Sequence, residues 1–137
     1  MIRVIALIAF LFSPLSLADI AVVVSEDNDS SLSKGDVEQL FLGENMFFPD
    51  GEPATVVTQR SRNSEYTRFN TAFLGMSNTA FKSHWSRVIF AGRGQPPKET
   101  SGLNDLLSKI RQDKSIIAYV DAGSVPKGLR VVLTVEE

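Results

Sequence analysis

Apolar positions recur along this chain in two rhythms, and the change from one to the other marks its elements. Ile20-Ala-Val-Val-Val24 is an unbroken β-branched run, as expected of a strand covered on both faces. Polar residues 25–31 follow as a loop. Ser33-Lys-Gly-Asp36 resembles a capping box, and Val37, Leu40 and Phe41 form the apolar stripe of the short helix it starts. Gly43 suits the left-handed position that closes such a helix. Phe47-Phe48-Pro-Asp-Gly51 is an apolar contact running into a turn.

Ala54 to Thr58 is a second strand. A helix is predicted from about Ser64 to Leu74, with Tyr66, Phe69, Phe73 and Leu74 on one face and Gly75 as its stop. Ser77 or Asn78 caps a third helix carrying Phe81, Trp85, Val88 and Ile89. Residues 91–98, AGRGQPPK, make a Gly/Pro loop. A fourth helix begins at Ser101 and carries Leu103, Leu106, Leu107 and Ile110, and strands follow at Ile116 to Val120 and Leu129 to Thr134. Strands separated by helices of about ten residues predict one α/β domain, its sheet mostly parallel and flanked by helices. The phenylalanines, Phe41, Phe47, Phe48, Phe69, Phe73, Phe81 and Phe90, are expected mostly in the core, with Phe47-Phe48 also suited to a partner patch.

The first residues change the picture of location. Met1-Ile2-Arg3 is a short positive leader, Val4 to Phe12 is apolar, Ser13-Pro14 breaks the run, and Ser16-Leu17-Ala18 offers the small residues a signal peptidase reads. Residues 1–18 are expected to be a cleaved secretory signal, too short to span a bilayer comfortably, which leaves residues 19–137 as a periplasmic domain. The chain holds no cysteine and one histidine, His84. Disulfides, thiolate chemistry and cysteine-based metal sites are excluded, and a histidine cluster or a Ser-His-Asp triad has too few members.

The formal net charge is −2, but the charges are unevenly spread. Residues 19–59 hold nine acids and one lysine, whereas residues 60–93 hold six basic residues and one acid, Glu65. That middle is too small an excess for nucleic acid, and it suits a local site for a small anion. Its candidate is QRSRNSEYTRF, where a strand gives way to a helix. Unpaired amides in a helix's first turn, with its dipole, hold phosphate, sulfate or carboxylate. Ser61, Asn63 and Ser64 can add donors, and Arg60 or Arg62 a charge-assisted fork. The same residues also suit an ordinary capped turn with surface arginines.

His84 beside Trp85 is either a pH-sensitive contact or a satisfied boundary histidine. Gly92-Arg93-Gly94 is an anion-binding nest or a flexible turn. Glu26-Asp27-Asn28-Asp29 lacks the spaced ligands of a calcium loop and is expected to be solvated.

Four stretches, LSKGDVEQLFLGENMFFPDGEPATVV, QRSRNSEYTRFNTAFLG, HWSRVIFAGRGQPPKE and SIIAYVDAGSVPKGLRVV, together resemble, in content and order, the periplasmic phosphate-binding proteins of ABC importers, in particular short members with a single lobe. The resemblance spans residues 20–133. It implies a single lobe of the periplasmic-binding-protein type, without catalytic activity or cofactor. It aligns Arg60 and Ser64 with the Arg and Ser of the family's phosphate loop. Glu65 stands where the family has Gly and Tyr66 where it has Thr, so Thr67 becomes the nearest replacement for that hydroxyl.

On this basis the expected ligand is phosphate or a similar oxyanion, held by Arg60, Ser61, Asn63, Ser64 and Thr67. The expected partners are a membrane permease or a sensor protein, and a homodimer would supply the second half of the site, because family members of full size close two lobes over the anion. A second expectation is an interaction or sensor module of the cell envelope that keeps the fold and has lost the ligand.

Overall fold

The computed structural model describes residues 19–136. The expected signal segment, residues 1–18, lies outside them. The order is β1 (Ile20–Ser25), α1 (Lys34–Phe41), β2 (Thr55–Thr58), α2 (Ser64–Ala72), α3 (Asn78–Phe90), β3 (Lys98–Glu99), α4 (Leu103–Gln112), β4 (Ile116–Asp121), a 3₁₀ turn at Ala122–Ser124, and β5 (Leu129–Val135). The strands form one sheet in the order β3-β2-β4-β1-β5.

The expected mostly parallel sheet is corrected here. The two long pairings, β1 with β4 and β1 with β5, are antiparallel; the parallel ones, β2 with β3 and β2 with β4, are short. β1, next to the β5 edge, runs against all the others. The reason the pattern misled is physical. A continuous apolar run reports that both faces are covered, and it carries no information on strand direction. Ile20, Val22 and Val24 face one cluster, with the aromatic residues of α1, α2 and α3. Ala21 and Val23 face the other, with Leu106 and Ile110 of α4. Helices on both faces, rather than parallel neighbours, make all of β1 apolar.

Local signals set the helix boundaries closely. Ser33 Oγ accepts the Asp36 amide at 3.1 Å and the Asp36 carboxylate accepts the Ser33 amide at 2.9 Å, which completes the capping box of α1. Ser77 Oγ caps α3 through the Ala80 amide. Gly43 follows α1 at φ 71°. The short strand β3 begins on the last residue of the Gly/Pro loop, and α4 starts at Leu103 with Gly102 before it.

The larger core is aromatic. Phe69 stacks on Tyr119 with ring centroids 4.0 Å apart and planes 9° apart, and it touches Phe41 and Phe73. Trp85 and Phe81 complete that layer from α3. Two phenylalanines expected inside lie outside. Phe90, at the end of α3, is 96% exposed, and Phe47 is half-exposed while its neighbour Phe48 is buried.

Candidate functional site

β2 and β4 run parallel, so their C-terminal ends open on the same edge of the sheet. Five residues separate the end of β2 from the start of α2, and α4 follows β3, which is parallel to β2. Both helices therefore present their N-termini at this edge. Neither has a side-chain cap bond: the N-cap residues are Asn63 and Gly102. Between them lies an open crevice of about 260 Å³, lined by Gln59, Asn63, Glu65, Gly102, Asp121 and Ser124, among others.

A buried polar web ties this crevice to the sheet. Thr58 Oγ1 and Tyr119 Oη are 2.7 Å apart, and the Gln59 amide donates to the same phenol oxygen at 3.3 Å. The Gln59 side chain donates through Nε2 to the Tyr119 carbonyl at 2.9 Å and accepts from Asn63 Nδ2 at 3.2 Å. The Asn63 side chain is thus turned away from α2, which leaves the helix start uncapped. The Asn63 amide donates to the Arg60 carbonyl at 2.9 Å, closing residues 60–63 into a tight turn, and the Tyr66 amide donates to the Asn63 carbonyl. The amides of Ser64 and Glu65 remain as first-turn donors.

The five residues proposed from sequence do not converge on one point. Arg60 is half-buried; Ser61 and Ser64 are exposed. Their side chains, with that of Arg62, form no hydrogen bond or ion pair among the described residues. They are available, but they sit beside the crevice rather than among the residues lining it. Thr67 lies a turn further on and accepts from Asn78 Nδ2 at 2.8 Å, which fastens α2 to the start of α3. Asn63 serves Gln59.

Acidic groups share the edge. Glu65, in the first turn of α2, and Asp121, at the end of β4, both line the crevice. Asp121 is partly neutralised by Arg68, whose Nη1 lies 3.3 Å from Oδ2, and its Oδ1 accepts the Gly123 amide. At α4, the Asp105 carboxylate accepts the Ser101 amide and pairs with Lys109. The Ser101 amide and Lys109 hold its carboxyl well below the usual carboxylate range. The start of α4 is therefore already occupied by a side-chain anion, whereas that of α2 is not. No group of acids and histidines among the described residues is arranged to hold a metal ion.

Sequence reasoning missed Gln59, Tyr119 and Gly102. The first two carry no motif of their own. Their roles come from the pairing of β2 with β4, which brings residues 60 apart into contact. The convergence of α4 was hidden because β3 is only two residues long. Of the other sequence candidates, His84 is a structural contact, its Nε2 lying 2.7 Å from the Leu42 carbonyl. A carbonyl oxygen only accepts, so that nitrogen carries the hydrogen.

Burial pushes the Tyr119 phenol above its ordinary 10.0, against the opposing pull of hydrogen bonds from Thr58 and Gln59. Burial also raises Tyr66. The folded state holds the neutral phenol, so this contribution is complete below pH 10 and is lost as the pH rises beyond it. The melting temperature should therefore fall at alkaline pH. Tyr119→Phe should be less stable at neutral pH, by about 1 to 2 kcal/mol, yet show a shallower decline above pH 10. Parallel melting curves for the two proteins, measured by circular dichroism from pH 7 to 11, check this; identical alkaline slopes would count against it.

No family model matches the chain, and no curated protein matches it. Solved structures do. The fold is similar to that of a Clostridium perfringens protein described as a phosphate ABC transporter substrate-binding protein, solved with bound phosphate. That match has a TM-score of 0.66 and 13% identity over 85% of this chain and 45% of the other. It is similar also to an ABC-type phosphate transport receptor from Vibrio cholerae, with a TM-score of 0.63 and 14% identity over 85% of this chain and 47% of that one. The likeness is one of fold, and the chain spans less than half the length of these neighbours.

Proposed function

We propose that this chain is an extracytoplasmic, non-catalytic binding lobe that takes an oxyanion of the phosphate class at the start of α2. The observation that carries the reading is the uncapped N-terminus of α2 beside two arginines and two serines whose side chains have no partner among the described residues. First-turn amides supply the fixed dipole, Arg60 the charge-assisted fork, and Ser61 and Ser64 hydroxyl donors. Asn63 and Thr67 act as supports, the first by holding Gln59 and the second by fixing α2 against α3. The fold likeness to proteins named for phosphate transport and binding supports the ligand class.

A site open to water on one lobe binds weakly, in the ~millimolar range, and loses affinity with salt. Useful capture then requires a second surface, from another copy or from an envelope partner such as a permease or sensor.

A second reading is favoured by one specific feature. Glu65 and Asp121 place carboxylates at the crevice where an oxyanion would approach. In that reading the lobe is an interaction module that keeps the fold without the anion. One experiment separates the two. Phosphate at low ionic strength should raise the melting temperature of the wild-type protein, and Arg60→Ala should abolish the rise. Glu65→Gln should strengthen the response, on the order of 1 kcal/mol of removed repulsion. A melting temperature indifferent to phosphate in both wild type and Glu65→Gln would rule out the oxyanion reading and leave the second.

A further inference from the structure

β5 is the last strand of the sheet, and β1 is its only strand partner among the described residues. It is seven residues long, LRVVLTV, whereas the strand at the opposite edge, β3, has two. An open edge of this length is a template for another strand, and proteins that must keep one unpaired place lysine, proline or a bulge along it. β5 has no lysine or proline, and its bulge is a single residue, Val132. Its one charged side chain, Arg130, is drawn back over the protein: Nε and Nη2 donate to the Asn28 carbonyl, and Nη2 also donates to the Ser30 carbonyl at 2.8 Å. Val131, at mid-strand, is 42% exposed.

We propose that β5 pairs antiparallel with β5 of a second copy, joining two sheets into one of ten strands. The charges select this occupant and this direction. Lys127 lies in the turn before the strand, Arg130 near its start, and Glu136 follows its end. A second copy laid antiparallel sets opposite charges together at both ends, whereas a parallel copy sets like charges together. A two-fold axis at the middle of the strand sets the Lys127 end of each copy beside the other copy's Glu136 end. The irregularity in the β1–β5 register falls at Val132, the midpoint of the strand. The inference does not rest on the oxyanion reading, because β5 lies at the far side of β1 and β4 from the α2 crevice.

Sedimentation of the purified protein tests this. The wild type should show a concentration-dependent dimer that weakens with salt. Val131→Lys should be monomeric with an unchanged melting temperature, since the side chain is exposed. Lys127→Glu should weaken the dimer roughly tenfold, because the two-fold makes the contact twice. Adding Glu136→Lys to it should restore the dimer. The absence of any other cysteine makes Val131→Cys a clean reporter, expected to form a disulfide-linked dimer on mild oxidation. A wild type that stays monomeric at ~1 mM, a dimer indifferent to Val131→Lys, or a charge-swapped double variant no better than Lys127→Glu alone would overturn the proposal.

Discussion

Phe69→Ala is expected to remove most of the stability of this domain. Phe69 is 1% exposed and sits at the centre of an aromatic layer, stacked on Tyr119 at 4.0 Å, with Phe41 at 4.7 Å and Phe73 at 5.1 Å. Truncating a buried phenylalanine costs about 3 to 5 kcal/mol, from lost transfer energy and the cavity left behind. The stacked pairs add roughly 0.5 to 1.5 kcal/mol each beyond that area term. A domain of this size holds about 5 to 15 kcal/mol in all, so the variant should be marginal or unfolded at 37 °C. The effect extends to the candidate site, because the ring against Phe69 is Tyr119, whose hydroxyl joins Thr58 and the Gln59 amide at the end of β2. Urea unfolding followed by circular dichroism measures the loss. Phe90→Ala is the matched control: that ring is 96% exposed and its removal should change stability by less than about 0.5 kcal/mol. Equal effects at the two positions would contradict the assigned core.

Gly43→Ala should be the most damaging conservative change in the chain. Two separate causes combine there. The residue holds φ 71°, a left-handed conformation that costs a residue with a Cβ about 1 to 2 kcal/mol. A Cβ would also lie 2.5 Å from Cη2 of Trp85, so the indole must move. Trp85 is buried and its Nε1 donates to the Phe41 carbonyl at 3.2 Å, which ties α3 to the end of α1. Displacing it strains a packed site, at about 1 to 3 kcal/mol. Gly75 isolates the backbone share, since it has φ 64° and nothing within 4 Å of its missing Cβ. The expected order is therefore a loss of roughly 2 to 5 kcal/mol for Gly43→Ala and only the smaller backbone share for Gly75→Ala. Trp85 is the only tryptophan, so its emission should shift in the first variant and stay constant in the second. A Gly43→Ala protein with wild-type stability and emission would show that the indole does not press on that glycine.

These two sites also show how unevenly the sequence disclosed its structure. Gly43 was readable as a helix terminator from the apolar stripe before it, and Ser33 with Asp36 as a capping box, because both are local devices completed within four residues. Nothing local reveals that Trp85 lies over Gly43, for that contact is made by a helix 42 residues away in the chain. Strand direction was misjudged for the same kind of reason. The apolar run of β1 records coverage by α1, α2 and α3 on one face and α4 on the other, which is equally compatible with either direction. Phe90 is apolar but out of helical phase with the buried face of α3. Trp85 and Phe81, on the same helix, point inward, and Phe90 falls on the opposite side.

The candidate site was half legible. A strand end, a polar turn and an uncapped helix start can all be read from QRSRNSEYTRF. The crevice beside them cannot, because it is assembled from β4 and α4 as well. Those elements bring Asp121 and Gly102, and Asp121 brings a carboxylate that the local sequence gave no reason to expect. The same edge therefore holds, in balance, the donors that would attract an oxyanion and the acids that would oppose it.

The most direct test of that balance is a titration of the ¹⁵N-labelled protein with phosphate at low ionic strength, followed through its backbone amides. The account predicts saturable shifts concentrated at Ser61 to Glu65, absent in Arg60→Ala and not reproduced by chloride. Amides that stay unmoved through residues 60–65 up to ~20 mM phosphate, or that respond equally to chloride, would contradict it.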